Sequence, residues 1–292
     1  METKTAFFIK YLPIKIFLTS IEKAVLPAFL GSTLRGAVGQ ALYTDTAAYT
    51  YLYNNRTLKG NSQDVVNPYI IVPPEMNRIS YRAGDELNFN MVLLGDAEQY
   101  AQALVNALQL VQKLKLGASR YPFELKKITH CLDQRIIWQN AHLNETAIQS
   151  AVLPYRTLPD VRQLTIQMQT PLRIRRNGLL LEKVDFSTII RNITKRIEAI
   201  VERYGGWVDR IETERIRILA SQVCITQNSL QKNNMERYSN RLGEKMDFSG
   251  LIGSMQFEGA LSPFVPWLYA AQILHIGRNT TFGMGKIEVE FI

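Results

Sequence analysis

Near the end of the sequence, "ILHIGRNTTFGMGK" (residues 273–286) sets Gly277, Gly283 and Gly285 between Arg278 and Lys286, with His275 just before them. Glycine lets a backbone turn with positive φ and leaves no side chain to hold a ligand away. Free N–H groups beside two cations would make an anion-binding concavity. The hydroxyls of Thr280 and Thr281 would add reach toward phosphate oxygens. Such a loop suits a sugar-phosphate backbone. It lacks the Gly-Lys-Ser/Thr ending of a nucleotide P-loop and follows a helical stretch rather than a strand, which argues against ATP. The competing reading is a tight helix-to-strand connection with Gly277 as the helix C-cap. Gly283 and Gly285 weaken that reading, because one glycine suffices for a cap.

Further cations are grouped elsewhere. In "LRIRRNG", Leu172 and Ile174 facing a core would leave Arg173 and Arg175 together on the opposite face of a strand. "MERYSNRLGEK" reads as a loop carrying Arg237, Tyr238, Arg241 and Lys245, a combination able to stack on a base or hold a stem. Arg35 lies on the first helix, off the Leu34–Val38 face. Arg191, Lys195 and Arg196 read as a solvated helix face. With 34 Lys and Arg against 26 acidic residues, the net charge of +8 favours a polyanionic partner.

The composition excludes several classes. Three histidines, His130, His142 and His275, and no acidic cluster give no metal-ligand spacing, so no metal and no cofactor are expected. Cys131 and Cys224 are too few and too far apart for a disulfide framework, which makes a cytoplasmic location the default. No apolar run reaches the roughly 18–20 residues of a membrane span, so no membrane partner is expected.

The elements that must position these residues repeat. In the first half, a strand over 5–18 precedes a helix with Leu30, Leu34, Val38 and Leu42 at every fourth position. "NPYIIVPP" and "DELNFNMVLLG" read as strands, 97–115 as a helix, and "LKLGASRYPFELKKI" as a turn and strand. In the second half, "QLTIQMQTPLRIRRNG" is a strand and Asp185 caps a helix over 186–204. "RIRILASQVCIT" and "FSGLIGSMQFEG" follow as strands, then a helix from Ser262-Pro263 to about Ile276, and "KIEVEFI" closes as a strand. The order βαββαβ occurs twice, which predicts an α+β chain of two tandem ferredoxin-like domains. The join falls in "LPYRTLPD", giving an N-terminal domain over 1–155 and a C-terminal domain over 156–292 that carries the glycine-rich RNA-binding loop.

At this point the sequence resembles a known family. "LGSTLRGAVGQAL" (30–42), "GDELNFNMVLLG" (84–95), "TPLRIRRNGLL" (170–180), "ERYSNRLGEKMDFSGLIGSMQFEG" (236–259) and "LHIGRNTTFGMGKIEV" (274–289) look like segments of the CRISPR-associated repeat-RNA processing endoribonucleases of the RAMP superfamily. The resemblance implies two ferredoxin-like domains and the CRISPR repeat RNA as partner, with other CRISPR effector-complex proteins as further partners. It also implies a reaction. The RNA's own 2′-OH attacks the adjacent phosphate without metal, leaving a 2′,3′-cyclic phosphate and a 5′-OH, and DNA is not cut. The protein must supply a base, an acid and positive charge at the phosphorane.

Relatives often place a histidine in or near the first helix; here the matching position is Gln40, which has no useful proton affinity. Three alternatives stand: Tyr43, one turn on, and His275, at the entrance to the loop, as the candidate catalytic residues, or a site that relies on Arg and Lys to position and neutralise the phosphate. Each has a structural alternative: a packing residue for Tyr43 and a helix cap for His275. The RNA-contacting set comprises Arg35, Arg173, Arg175, Arg237, Arg241, Gly277, Arg278, Thr280, Thr281, Gly283, Gly285 and Lys286. Gln40 keeps open a catalytically inactive relative that holds repeat-derived RNA, and a backbone subunit that grips guide RNA stands behind it.

Overall fold

The computed structural model describes residues 5–54, 66–111, 113–239 and 244–292. The chain divides into two compact units. One comprises Ile9–Val152 with Glu202–Gly205; the other comprises the segment ending at Phe8, Leu153–Val201 and Gly206–Ile292.

The N-terminal unit runs β1 (Lys10–Ser20), α1 (Gly31–Leu42), α2 (Thr46–Tyr53), β2 (Tyr69–Val72), β3 (Glu86–Leu94), α3 (Ala101–Val111) and β4 (Tyr121–His130). Its sheet places β4, β1, β3 and β2 side by side, every pair antiparallel. That order is what two split βαβ crossovers produce, and it makes the unit ferredoxin-like. Strand β1 alternates so that Leu12, Ile14, Ile16 and Leu18 are all buried, and Leu34, Val38 and Leu42 of α1 join the same core. Helix α3 is shorter than the periodicity predicts. Lys113–Leu116 is already a strand paired with Tyr121–Glu124, so Leu114 is buried by the two-residue period of a strand rather than as the end of a helix.

The C-terminal unit repeats the plan: β5 (Gln163–Leu172), α4 (Phe186–Tyr204), α5 (Arg210–Leu219), β6 (Cys224–Asn228), β7 (Gly250–Glu258), α6 (Val265–Leu274) and β8 (Ile287–Phe291). The strand order β6-β7-β5-β8 is again that of a ferredoxin-like sheet. Helix α4 begins where the sequence indicates. The Asp185 carboxylate accepts the Thr188 N–H at 2.7 Å, and Phe186, Ile189, Ile193, Ile197, Ile200 and Tyr204 are buried.

Two expectations fail here. "RIRILA" is the end of helix α5, not a strand. Asp209 caps that helix by accepting from the N–H groups of Ile211 and Glu212, and Thr213 and Ile216 form its buried face. "MERYSN…GEKMD" is in part a hairpin, Glu236–Ser239 against Glu244–Asp247, rather than a loop. Among the described residues no helix is long and apolar enough to cross a membrane.

Candidate nucleic-acid interface

In the C-terminal unit the glycine-rich loop is a tightly closed knot. His275 (φ 55°), Gly277, Asn279, Gly283 and Gly285 all have positive φ. A Cβ at Gly285 would sit 1.8 Å from the Ile276 carbonyl oxygen, and one at Gly277 would sit 2.5 Å from that of Arg173. The glycines therefore answer the approach of backbone to backbone. Loop amides are consumed in the same way. Ile276 N–H donates to Gly285 O, Arg278 N–H to Arg173 O, Gly283 N–H to Thr280 O, Gly285 N–H to Pro171 O and Lys286 N–H to Thr170 Oγ1, at 2.7–3.1 Å. The expected row of free N–H groups is thus largely spent inside the fold.

Side chains expected at a phosphate also turn inward. His275 is 1% exposed and its Nδ1 lies 3.1 Å from the Met284 carbonyl oxygen. Burial, opposed by that hydrogen bond and aided by Arg196 and Lys286, pulls its pKa down to about 3, so the ring is a neutral donor to the loop at physiological pH. Thr280 and Thr281 are buried, and Thr280 Oγ1 accepts from Arg196 Nη2 at 3.0 Å. Arg196 also donates Nε–H to Leu274 O at 2.7 Å, clamping the end of α6 from α4. It belongs to the interior, not to a solvated face, because α4 is buried on a broad stripe that includes Arg196.

Arg173 is 3% exposed. Strand β5 stops at Leu172 after a register shift, so the two-residue alternation no longer applies, and Arg173 and Ile174 are both buried. Its guanidinium donates to the Ser249 carbonyl and pairs with Asp247 Oδ2 at 3.2 Å. Burial pulls the Arg173 pKa down, Asp247 opposes this, and Arg175 and Arg278 lie close enough to add to the fall. Arg237 is also committed. Its Cζ lies 5.0 Å from the ring centre of Phe248 and 4.8 Å from that of Phe282, so it pins the hairpin to the glycine-rich loop by cation–π contact. Arg241 lies outside the described residues. Of the cations expected at RNA, those left at the surface of this unit among the described residues are Arg175 and Arg278, both exposed, and half-exposed Lys286.

The N-terminal unit holds a second feature. A groove of about 470 Å³ is lined by Arg35, Gly36, Gly39, Gln40, Tyr43, Thr44, Tyr49 and Tyr53, within the ~300–1,000 Å³ range of small-ligand sites. Tyr43 caps the C-terminal end of α1 and is 71% exposed. Its ring meets Tyr49 edge-on at 5.3 Å, Tyr49 stacks on Tyr53 at 5.5 Å and 8°, and Tyr53 stacks on Tyr69 at 5.1 Å. Arg35 lies over Tyr53 at 4.9 Å, and Tyr53 Oη donates to the Arg35 carbonyl at 2.9 Å. Burial drives the Tyr53 phenol well above its ordinary pKa and raises that of Tyr69, so both stay neutral.

Sequence reading missed Tyr49 and Tyr53. Helix α2, "TAAYTYLY", has only Ala48 and Leu52 buried and no long apolar period. The usable signals were the i, i+4 tyrosine pair and Asp45, whose carboxylate accepts the Ala48 N–H at 2.9 Å. No histidine joins the groove. His130 is buried with Nδ1 at Asp133 and Nε2 at the Gln149 carbonyl, His142 is exposed elsewhere, and His275 is in the loop.

Residues 166–287 match the family model of the CRISPR-associated endoribonuclease Cas6, and residues 8–151 match a model described as an N-terminal domain. No curated protein matches the chain. A chain of a partial Cas6-RT-Cas1–Cas2 complex is similar over 99% of this chain and 47% of its own length, with TM-score 0.64 and 13% identity. The present chain thus spans about half of that relative. A Cas6 product complex is similar over 97% of this chain and 99% of its own, with TM-score 0.58 and 19% identity. A Cas6 from Thermus thermophilus is similar over 98% and 100%, with TM-score 0.57 and 13% identity. These identities establish the shared fold. The Cas6 match is carried by the C-terminal half of the chain.

Proposed function

We propose that this RAMP-type protein is a CRISPR repeat-RNA endoribonuclease that cuts by attack of the substrate's 2′-OH, without metal, leaving a 2′,3′-cyclic phosphate and a 5′-OH. The observation that carries the reading is the Cas6 match over 166–287, which includes the whole glycine-rich loop. Arg175, Arg278 and Lys286 hold phosphates on the C-terminal domain, with the loop knot as their rigid base. In the N-terminal domain Tyr43 is the exposed proton donor for the leaving 5′-oxygen, the 2′-OH proton passes to solvent water in the open groove, and the Arg35 guanidinium adds positive charge to the phosphorane. His275 acts through the loop as a positioning residue. By the likeness to a chain of a Cas6-RT-Cas1–Cas2 complex, other CRISPR proteins are proposed partners. Two free cysteines accord with a cytoplasmic site of action.

The test is product analysis with the purified protein and its repeat RNA. Discrete cleavage with cyclic-phosphate ends is expected, and Tyr43→Phe slows it about 10²-fold, at the lower end of what one proton-transfer group supplies. Cleavage that leaves 3′-OH ends would refute the reading. One observation favours a second reading, a relative that holds repeat-derived RNA without cutting it: all three histidines lie outside the groove. That reading predicts tight binding and intact RNA.

A further inference from the structure

The groove of the N-terminal unit carries more than Tyr43. Its wall is a ladder of tyrosine rings in which Tyr49 and Tyr53 lie nearly parallel, and Tyr43 stands exposed at the open end. The floor is made by two glycines of α1 with different reasons to be glycine. At Gly39 a Cβ would come within 2.6 Å of the Tyr53 ring, so its absence lets the ladder pack onto the helix. At Gly36 a Cβ would meet nothing within 4 Å, and that space belongs to the groove. The exposed Gln40 also lines the groove, and its carboxamide offers one acceptor and two donors.

We infer that this groove seats one unpaired adenine of the repeat RNA, stacked on the tyrosine ladder and read at its edge by the Gln40 amide. The inference rests on the repeat-RNA reading above and adds a specificity determinant to it. Tyr53 is covered by Tyr49, Tyr69 and Arg35, so the open π-surface is the exposed end of the ladder at Tyr43, and it fits a base because aromatic side chains stack on splayed-out bases of single-stranded RNA. The cation above Tyr53 makes the ladder electropositive beside a polyanion. Glutamine pairs in bidentate fashion with adenine, whose edge offers an acceptor next to a donor.

The test uses the full chain and its repeat RNA, with each unpaired adenine replaced in turn by 2-aminopurine, whose fluorescence is quenched on stacking. Quenching at one position is expected with the unaltered protein. It is lost in Gly36→Leu, whose Cβ meets nothing within 4 Å and whose side chain occupies the groove, and in Tyr49→Leu, with RNA affinity falling roughly tenfold. Changing that adenine to guanine should weaken binding roughly tenfold in the unaltered protein and hardly at all in Gln40→Ala. Gln40 is exposed, so this second variant reads the groove even where the first perturbs folding. Salt-sensitive RNA binding with unchanged quenching and affinity in all three variants would overturn the inference and leave the repeat-RNA reading standing. Failure of the unaltered protein to bind repeat RNA would overturn both. AMP binding in the groove as tightly as the RNA would make the occupant a free nucleotide and overturn the inference alone.

Discussion

His275 brings proton chemistry and burial into conflict. In an unfolded chain its imidazole titrates at the ordinary 6.5, while in the folded protein burial holds it at about 3. Between those values the unfolded state takes the proton and the folded state does not. The contribution of this group to stability is therefore complete above pH 6.5 and is lost on acidification toward pH 3, by up to about 1.4 kcal/mol per pH unit. Urea unfolding at pH 7.5 and pH 5 should record a loss of about 2 kcal/mol from this group, absent in His275→Gln. Equal pH slopes in the two proteins would remove the buried neutral imidazole from the account. The sequence places His275 at the mouth of the loop but does not reveal its burial, with the Met284 carbonyl of the same loop at its Nδ1 and the charge of Arg196 from α4 nearby. Arg173 illustrates the same limit. Strand alternation puts it outside, and the end of β5 at Leu172 puts it inside.

At the scale of elements, the two kinds of glycine separate cleanly. Gly285→Ala forces a Cβ to 1.8 Å from a carbonyl oxygen at φ 69° and should cost upward of about 3 kcal/mol, measured by chemical denaturation. Gly36→Ala lies in an open helical position and should gain about 0.5–1 kcal/mol. A tolerant Gly285 would mean that the loop is not the closed knot described. Elements with a strong period were legible: α1 from its fourfold leucine and valine spacing, and α4 from its isoleucine stripe and Asp185 cap. Helix α2 and the end of α5 were not, because their burial is narrow, with only Ala48 and Leu52 buried in one and Thr213 and Ile216 in the other.

At the scale of the molecule, the repeated βαββαβ order was readable in advance because each half alternates strand and helix patterns with turn punctuation, and both sheets adopt the expected order. The groove was not readable, since it joins α1 to tyrosines of a helix that carries little apolar signal. With Arg175, Arg278 and Lys286 as the phosphate contacts, the logarithm of RNA affinity should fall linearly with that of salt, with a slope near −2. Arg278→Ala should flatten this slope by about 0.7. A slope near zero in titrations over a range of salt would exclude the basic rim as the grip on RNA.

The central claim is that the substrate's own 2′-OH is the nucleophile. The direct measurement is incubation of the purified protein, in excess chelator, with its repeat RNA and with a copy bearing one 2′-deoxy nucleotide at the cut position. The account predicts that the first is cleaved at that position and the second is not. Cleavage of both, or cleavage of the first only after metal is added, would contradict it.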